Sequence, residues 1–251
     1  MKKQLLKIMI PALSMAVAGA ASAQTVRLAS EGAYAPFNYM DDSGTLAGFE
    51  IDLGNALCER AELDCEWVQN EWDSMIPNLV AGNYDGILAG MTITEERLQT
   101  IDFSDEYFPP DPSKFVVLKG TPLDTSALSG LKIGVQGGTI QAAYAEETYG
   151  ADNDILSFET GDQAIADLAA GNVDVVLADG GFVDPVIEGS QGAIVLAGDE
   201  VLIGGGMGVG MRKDDDALEA AFNAALASMK ADGSLDALIQ EYFNRGPFYA
   251  D

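Results

Sequence analysis

The chain contains no histidine. That removes the side chain most often used as a general base and metal ligand near neutral pH. Only two cysteines are present. Two thiolates without histidine make an incomplete zinc site, so no metal centre is expected. Positive charge is scarce, with 13 Lys and Arg against 40 Asp and Glu and a net charge of −27. Three of those cations, Lys2, Lys3 and Lys7, fall in an N-terminal leader, so the rest of the chain is still more acidic. Such a surface repels phosphate backbones and anionic lipid, which excludes nucleic acid as a partner. The glycine run Gly204-Gly205-Gly206 lacks a following Gly-Lys-Ser/Thr, and no G-x-G-x-x-G spacing occurs. A phosphate loop is therefore excluded and a flexible hinge expected. No cofactor is expected.

Long hydrophobic runs are also missing, except at the start. Basic residues at Lys2, Lys3 and Lys7 precede an apolar stretch from Ile8 to Ala18, and Ala21-Ser22-Ala23 has the small-x-small form of a cleavage site. The stretch is too short to span a bilayer and has the layout of a secretory signal peptide. Cleavage after Ala23 is expected, giving a soluble periplasmic chain that starts at Gln24. Export carries Cys58 and Cys65 into an oxidising compartment, where a lone pair normally forms a disulfide.

What the chain does have is a repeat. AGNYDGILAG at 81–90 returns as AGNVDVVLAD at 170–179. The common frame is Ala-Gly-Asn-x-Asp-x-x-Leu-Ala, and a repeat at this distance indicates two similar lobes rather than a solenoid. Strands are expected at 26–30, 66–68 and 84–89, separated by helices at 49–61 and 75–80. That is a βαβαβ pattern. The pattern restarts with strands at 131–135, 154–158 and 173–178 and helices at 139–148 and 162–170. The first crossing between lobes is read in Tyr107–Pro112, where three prolines stiffen the chain. The return is read near Gly204. The expected architecture is α/β with two lobes, each a mixed sheet flanked by helices, joined by a two-segment hinge. Lobe 1 is assigned to 24–108 plus 206–251 and lobe 2 to 109–205. Two closing helices, striped by Leu218, Phe222 and Leu226 and by Leu235, Leu238 and Tyr242, are expected to pack on lobe 1.

Candidate site residues lie at the ends of the expected strands, where α/β folds bind ligands. Thr92-x-x-Glu95 fits a capping box, and a helix start there would attract an anion. Arg97 can reach back over it and fork a carboxylate. The plainer alternative is a cap and a surface arginine. Asp179, in the place of Gly90, suits an ammonium group, or it simply begins a turn. Thr139 is an N-cap, and its hydroxyl and N–H are possible cleft groups as well. Glu31 suits a cationic side chain or is a surface acid. Tyr34 and Trp72 suit aromatic walls for the stem and cation of a lysine or arginine, or are core residues.

With those residues in view, the sequence resembles the periplasmic polar amino-acid-binding proteins of ABC uptake systems. This is solute-binding protein family 3, and in particular its lysine/arginine/ornithine- and histidine-binding branch. The stretches that carry the likeness are SEGAYAPFNY (30–39), GFEIDLGNALC (48–58), IPNLVAGNYDGI (76–87), ITEERLQTIDFSDEYF (93–108), GVQGGTIQAAY (134–144), AGNVDVVLAD (170–179) and GMGVGMRKDD (206–215). The cysteine pair also matches. The resemblance implies a type II periplasmic-binding-protein fold and a monomer that is not an enzyme. It implies a free amino acid, of the cationic class, as ligand and an inner-membrane ABC permease as partner. It places Arg97, helped by Thr92 and the backbone at Gly90, on the α-carboxylate, with Thr139 beside it. It places Asp179 on the α-ammonium, Glu31 on the basic side chain, and Tyr34 and Trp72 in the stack. Two serines usual in the branch are Ala89 and Gly90 here, and a usual threonine is Ile140, so three hydroxyls are missing. Another polar amino acid, an opine, or a dehydratase-like reaction on the same scaffold are the alternatives. An acidic ligand is disfavoured for lack of cations near the pocket, Lys114 being the one that could reverse this.

Overall fold

The first strand, β1 (Val26–Ser30), turns its side chains alternately to two covered faces. Leu28 packs into one hydrophobic cluster and Ala29 into another, so nearly continuous apolar sequence is required. The structure, a computed structural model, describes residues 25–125 and 127–249. The expected leader and its cleavage after Ala23 lie outside the described residues.

A small hairpin sheet follows, formed by β2 (Ala33–Tyr34), β3 (Asn38–Met40) and β4 (Leu46–Ala47). Helix α1 (Phe49–Arg60) buries Phe49, Leu53 and Leu57, spaced four apart on one face. Cys58 in its last turn is bonded to Cys65, the first residue of β5 (Cys65–Gln69). Trp72–Ser74 forms a 3-10 turn leading into α2 (Met75–Val80), which stops before Gly82 in the left-handed region at φ 79°. Tyr84 to Met91 is buried throughout, but only β6 (Gly86–Ile87) is laddered, so the expected strand at 84–89 is shorter than its apolar run. Strand β7 (Asp102–Phe103) completes the N-terminal part.

The middle of the chain holds β8 (Ser113–Leu118), β9 (Lys132–Gln136), α3 (Ile140–Tyr149), β10 (Asp154–Phe158), α4 (Gly161–Ala170), β11 (Val175–Asp179), α5 (Gly180–Gly189) and β12 (Ile194–Val201). The chain then returns through β13 (Gly210–Met211) to α6 (Asp216–Ala231) and α7 (Ser234–Phe243). Both of these helices pack on α1.

Two five-stranded mixed sheets result, ordered β5-β1-β6-β13-β7 and β10-β9-β11-β8-β12. They share a plan. Three parallel strands lie second-first-third, and the fourth strand runs antiparallel. In each sheet that fourth strand comes from across the hinge. β13 follows the second lobe in sequence, whereas β8 precedes the rest of it. The two crossings run side by side: Tyr107 N donates to Met207 O at 2.8 Å, and Met207 N to Phe108 O at 2.9 Å. An aromatic cluster fills the space behind them, with Phe37 meeting Phe108 at 5.3 Å and Phe243 at 4.6 Å between ring centres. Among the described residues no helix is long and apolar enough to cross a membrane.

Helix α5 was not anticipated from the sequence, because it opens on two glycines and contains Pro185, all poor helix formers. The glycines are there for closeness. A Cβ at Gly181 would stand 2.9 Å from the Phe37 ring, and one at Gly180 would stand 3.0 Å from Pro112 O. The lobes touch where bare Gly181 meets Phe37, and Gly180 lets α5 lie against the crossing at Pro112.

Candidate functional site

Parallel strands of both sheets end toward a common cavity. Glu31 extends β1, Ala89 and Gly90 follow β6, Gln136 ends β9, and Asp179 ends β11. Glu31, Tyr34, Trp72, Ala89, Gly90, Thr92, Arg97, Thr139 and Asp179 all line the cavity, drawn together from separate stretches of chain.

Asp179 is 7% exposed. Its Oδ2 accepts from the Tyr34 hydroxyl at 2.7 Å and its Oδ1 from Gln141 Nε2 at 2.6 Å. Burial, reinforced by the nearby Asp111 carboxylate, pushes it up to about 7 despite those donors. Glu31, 5% exposed, accepts from Gln136 Nε2 at 2.7 Å. Burial again dominates, with Asp162, Glu50 and Asp73 adding repulsion, and Glu31 also rises to about 7. Two buried carboxylates thus stand in one cavity with neutral donors only, and both gain from a cation brought to them.

Among the described residues, the one cation lining the cavity is Arg97. Its guanidinium lies 5.3 Å from the centre of the Trp72 ring, and Nη1 donates to Thr92 O at 2.8 Å. Burial lowers it to about 10, with Asp179 acting in the opposite sense, so it stays charged at neutral pH.

Several expectations need correction. Thr92 and Glu95 form no capping box. Thr92 is bridged to Met207, and the helical piece here is the 3-10 turn Arg97–Gln99, where Thr94 Oγ1 accepts from Arg97 N at 3.1 Å. The chain rejoins the sheet at Asp102. The Gly90 N–H does not face the cavity either, since it donates to Glu50 Oε1 at 2.6 Å. The helix start that does border the cavity is that of α3, on the opposite lobe, through Thr139, Ile140 and Gln141. The Thr139 hydroxyl is engaged both ways, accepting from Ala142 N and donating to Gln136 O. Tyr34 stacks on Phe182, with centres 4.5 Å apart and planes 5° apart, and Trp72 carries the protein's own Arg97. Both aromatics border the cavity while holding its charged groups.

Gln136 and Gln141, which orient the two carboxylates, were missed as functional residues. Their signal was position alone, at the end of β9 and in the first turn of α3. Lys114 does not line the cavity; it pairs with Asp184 at 2.8 Å and Glu200 at 3.1 Å.

Residues 26–245 match the family model of bacterial extracellular solute-binding proteins, family 3. The chain is 38% identical to the lysine/arginine/ornithine-binding periplasmic protein of Escherichia coli, over 97% of this chain and 98% of that one. It is 36% identical to the L-arginine-binding protein of Pseudomonas aeruginosa, over 89% and 90% of the two chains. Among solved structures, a periplasmic His/Glu/Gln/Arg/opine family-binding protein from Silicibacter pomeroyi in complex with lysine superposes with a TM-score of 0.82. It shares 44% identity, covering 89% of this chain and 99% of that one.

Proposed function

The chain belongs to the bacterial extracellular solute-binding proteins of family 3, and from that premise we propose that it is the periplasmic receptor of an ABC amino-acid uptake system, closing its two lobes on one cationic L-amino acid. The observation that carries the ligand class is the charge inventory of the cavity. Ionised Glu31, ionised Asp179 and Arg97 sum to −1. A lysine, ornithine, arginine or protonated histidine has an α-carboxylate, an α-ammonium and a side-chain cation, and sums to +1. Each ligand charge then meets one opposite charge in a site that excludes water.

In this arrangement Arg97 forks the α-carboxylate, aided by the positive start of α3 at Thr139 and Ile140. Asp179, held by Tyr34 and Gln141, receives the α-ammonium. Glu31 receives the side-chain cation, with Trp72 and Tyr34 as walls for the aliphatic stem. Ala89 completes the floor, and Gly90 and Thr92 shape the wall through backbone. A neutral ligand leaves Glu31 unpaired, and an acidic one sets a second carboxylate against it.

The matched relatives are named as binding proteins, and the reading here is release of an unaltered amino acid to an inner-membrane permease. The leader is removed after Ala23 and the receptor acts as a monomer. A calorimetric and thermal-shift panel of L-amino acids tests the ligand class, because only true ligands raise the melting temperature by mass action. Arginine, lysine, ornithine and histidine are expected to lead. Glutamine or glutamate giving the larger shift would overturn the assignment. Recovery of the bound molecule chemically unchanged supports a receptor, and turnover of a prephenate-type compound refutes it.

A further inference from the structure

The cavity does not use the most deeply buried acid beside it. Glu50 is 0% exposed and lies in the first turn of α1, outside the cavity lining. An acid in the first turn of a helix is ordinary; total burial with no cation partner among the described residues is not. Its Oε1 accepts from Gly90 N at 2.6 Å and from the Tyr107 hydroxyl, and its Oε2 accepts from Asn38 Nδ2 at 2.7 Å. Asn38 Oδ1 in turn accepts from Gly32 N at 2.7 Å. Three segments meet on this one carboxylate. Gly90 is cavity wall, Tyr107 opens the first hinge crossing, and Gly32 sits between Glu31 and Tyr34.

On the amino-acid-binding role proposed above, we infer that Glu50 is a positioning residue for the ligand site, keeping Gly90, the 31–34 loop and the start of the hinge in register. The chemistry demands a carboxylate. The chain of hydrogen bonds begins and ends on backbone N–H groups, at Gly90 and at Gly32, which can only donate. Asn38 must therefore point its oxygen at Gly32 and its amide NH2 at residue 50. Residue 50 then faces donors on both sides and must accept on both sides. Glutamine cannot, since either orientation of its amide sets two donors against each other. The same anion also acts on Glu31, one of three carboxylates, with Asp162 and Asp73, that disfavour its charge.

The test is Glu50→Gln alone and combined with Asn38→Asp, each titrated with L-arginine and L-lysine across pH. The double variant exchanges amide and carboxylate. The carboxylate now at position 38 accepts from Gly32 and from the amide at position 50, whose oxygen accepts from Gly90 and Tyr107. We expect Glu50→Gln to melt cooperatively but bind at least tenfold more weakly. Its affinity should also reach its plateau at a lower pH, because Glu31 has lost a neighbouring anion. The double variant is expected to return to within threefold of the unaltered protein, with the pH limb moved back up. Affinity unchanged in folded Glu50→Gln, or a double variant no better than the single, overturns the inference. If Glu50→Gln does not fold, Tyr107→Phe decides, because it removes one donor and leaves the others. Threefold or greater weakening supports positioning, and a smaller effect refutes it. An unaltered protein that binds neither amino acid refutes the receptor role itself and this inference with it, whereas normal binding beside an indifferent Glu50→Gln sinks only the positioning role.

Discussion

Gly90 and Asp179 close the two copies of one repeated phrase, yet they meet the cavity in opposite ways. Behind Gly90 stands Glu50, a carboxylate with three neutral donors and no opening to the ligand. At the matching place in the second lobe the carboxylate is Asp179 itself, with two donors, a repelling Asp111 nearby and the cavity in front. Burial raises both acids above their ordinary values. The difference lies in what remains to be satisfied. A buried carboxylate saturated by fixed donors serves structure, and one left short of donors at a cavity wall awaits a cation from outside. The lobes differ in build as well. The first sheet relies on two-residue strands at β6, β7 and β13, and the second on strands of five to eight residues.

The sharpest way to break the comparison between the strand ends is to remove the charge that serves both lobes. Arg97→Ala leaves an α-carboxylate buried without its partner, a loss of roughly 2–5 kcal/mol or more. That is roughly thirtyfold to several-thousandfold in affinity. Calorimetry with arginine, lysine and ornithine should show binding abolished or nearly so for all three. Micromolar binding surviving in the folded variant would remove Arg97 from the site. Asp179→Asn and Glu31→Gln then separate the two acids. The first should weaken every amino acid by roughly a hundredfold, because the α-ammonium is common to all. The second should weaken cationic ligands by about tenfold or more and leave neutral ones unharmed or improved. Equal losses across cationic and neutral ligands for Glu31→Gln would refute its assignment to the side chain.

Much of this contrast was legible in the chain. The repeat and its mismatched last residue predicted two lobes and an acid on only one of them, and periodicity located most of the helices and parallel strands. What escaped depended on contacts distant in sequence. Helix α5 begins with Gly180 and Gly181 because Phe37, Asp111 and Pro112 come close to them, and nothing local shows that. The Thr92-x-x-Glu95 pattern is a fair cap, but the crossing at Met207 draws Thr92 into a bridge and only the 3-10 turn Arg97–Gln99 follows. Gly90 suggested free backbone because its occupant, Glu50, lies 40 residues upstream. Gln136 and Gln141 are neutral and common at strand and helix ends, so residue type alone gave no cue. Strand β8 starts directly after a proline-rich crossing and joins the second sheet by antiparallel pairing with β11, some 60 residues on, which periodicity does not report.

A milder perturbation is pH. Glu31 and Asp179 rise from ordinary values of 4.5 and 3.8 to about 7 when no ligand is bound. Because the folded values are raised, these groups favour the ligand-free fold fully below about pH 4 and lose that contribution as pH climbs through about 7. A cationic ligand needs both ionised, so affinity runs the other way, level above about pH 7.5 and falling below it by up to about tenfold per group per pH unit. The ligand-induced rise in melting temperature should therefore shrink as the solution is taken from about pH 8 to about pH 5.5. Glu31→Gln should remove one of the two titrations and Asp179→Asn the other. A shift that stays constant across that range would mean that neither acid meets a ligand cation.

The smallest effect expected on affinity comes from the staple in the weaker-laddered lobe. The Cys58–Cys65 bond joins the last turn of α1 to the first residue of β5, the edge strand of the first sheet. Neither cysteine lines the cavity, and the second lobe has no counterpart. Closing so short a loop restricts the unfolded chain modestly, so Cys58→Ser with Cys65→Ser should cost about 2–3 kcal/mol of stability. The dissociation constant for arginine should stay within about twofold, because α1 is also held by α6, α7 and the buried side chains Phe49, Leu53 and Leu57. A large loss of affinity in a folded double variant would show that the end of α1 is coupled to its start, where Glu50 grips Gly90. The first lobe would then hold its half of the site by tension through the whole helix rather than by the local hydrogen-bond chain. An unchanged affinity with a lowered melting temperature keeps the two roles apart, with the staple acting on the fold and the buried carboxylate on the site.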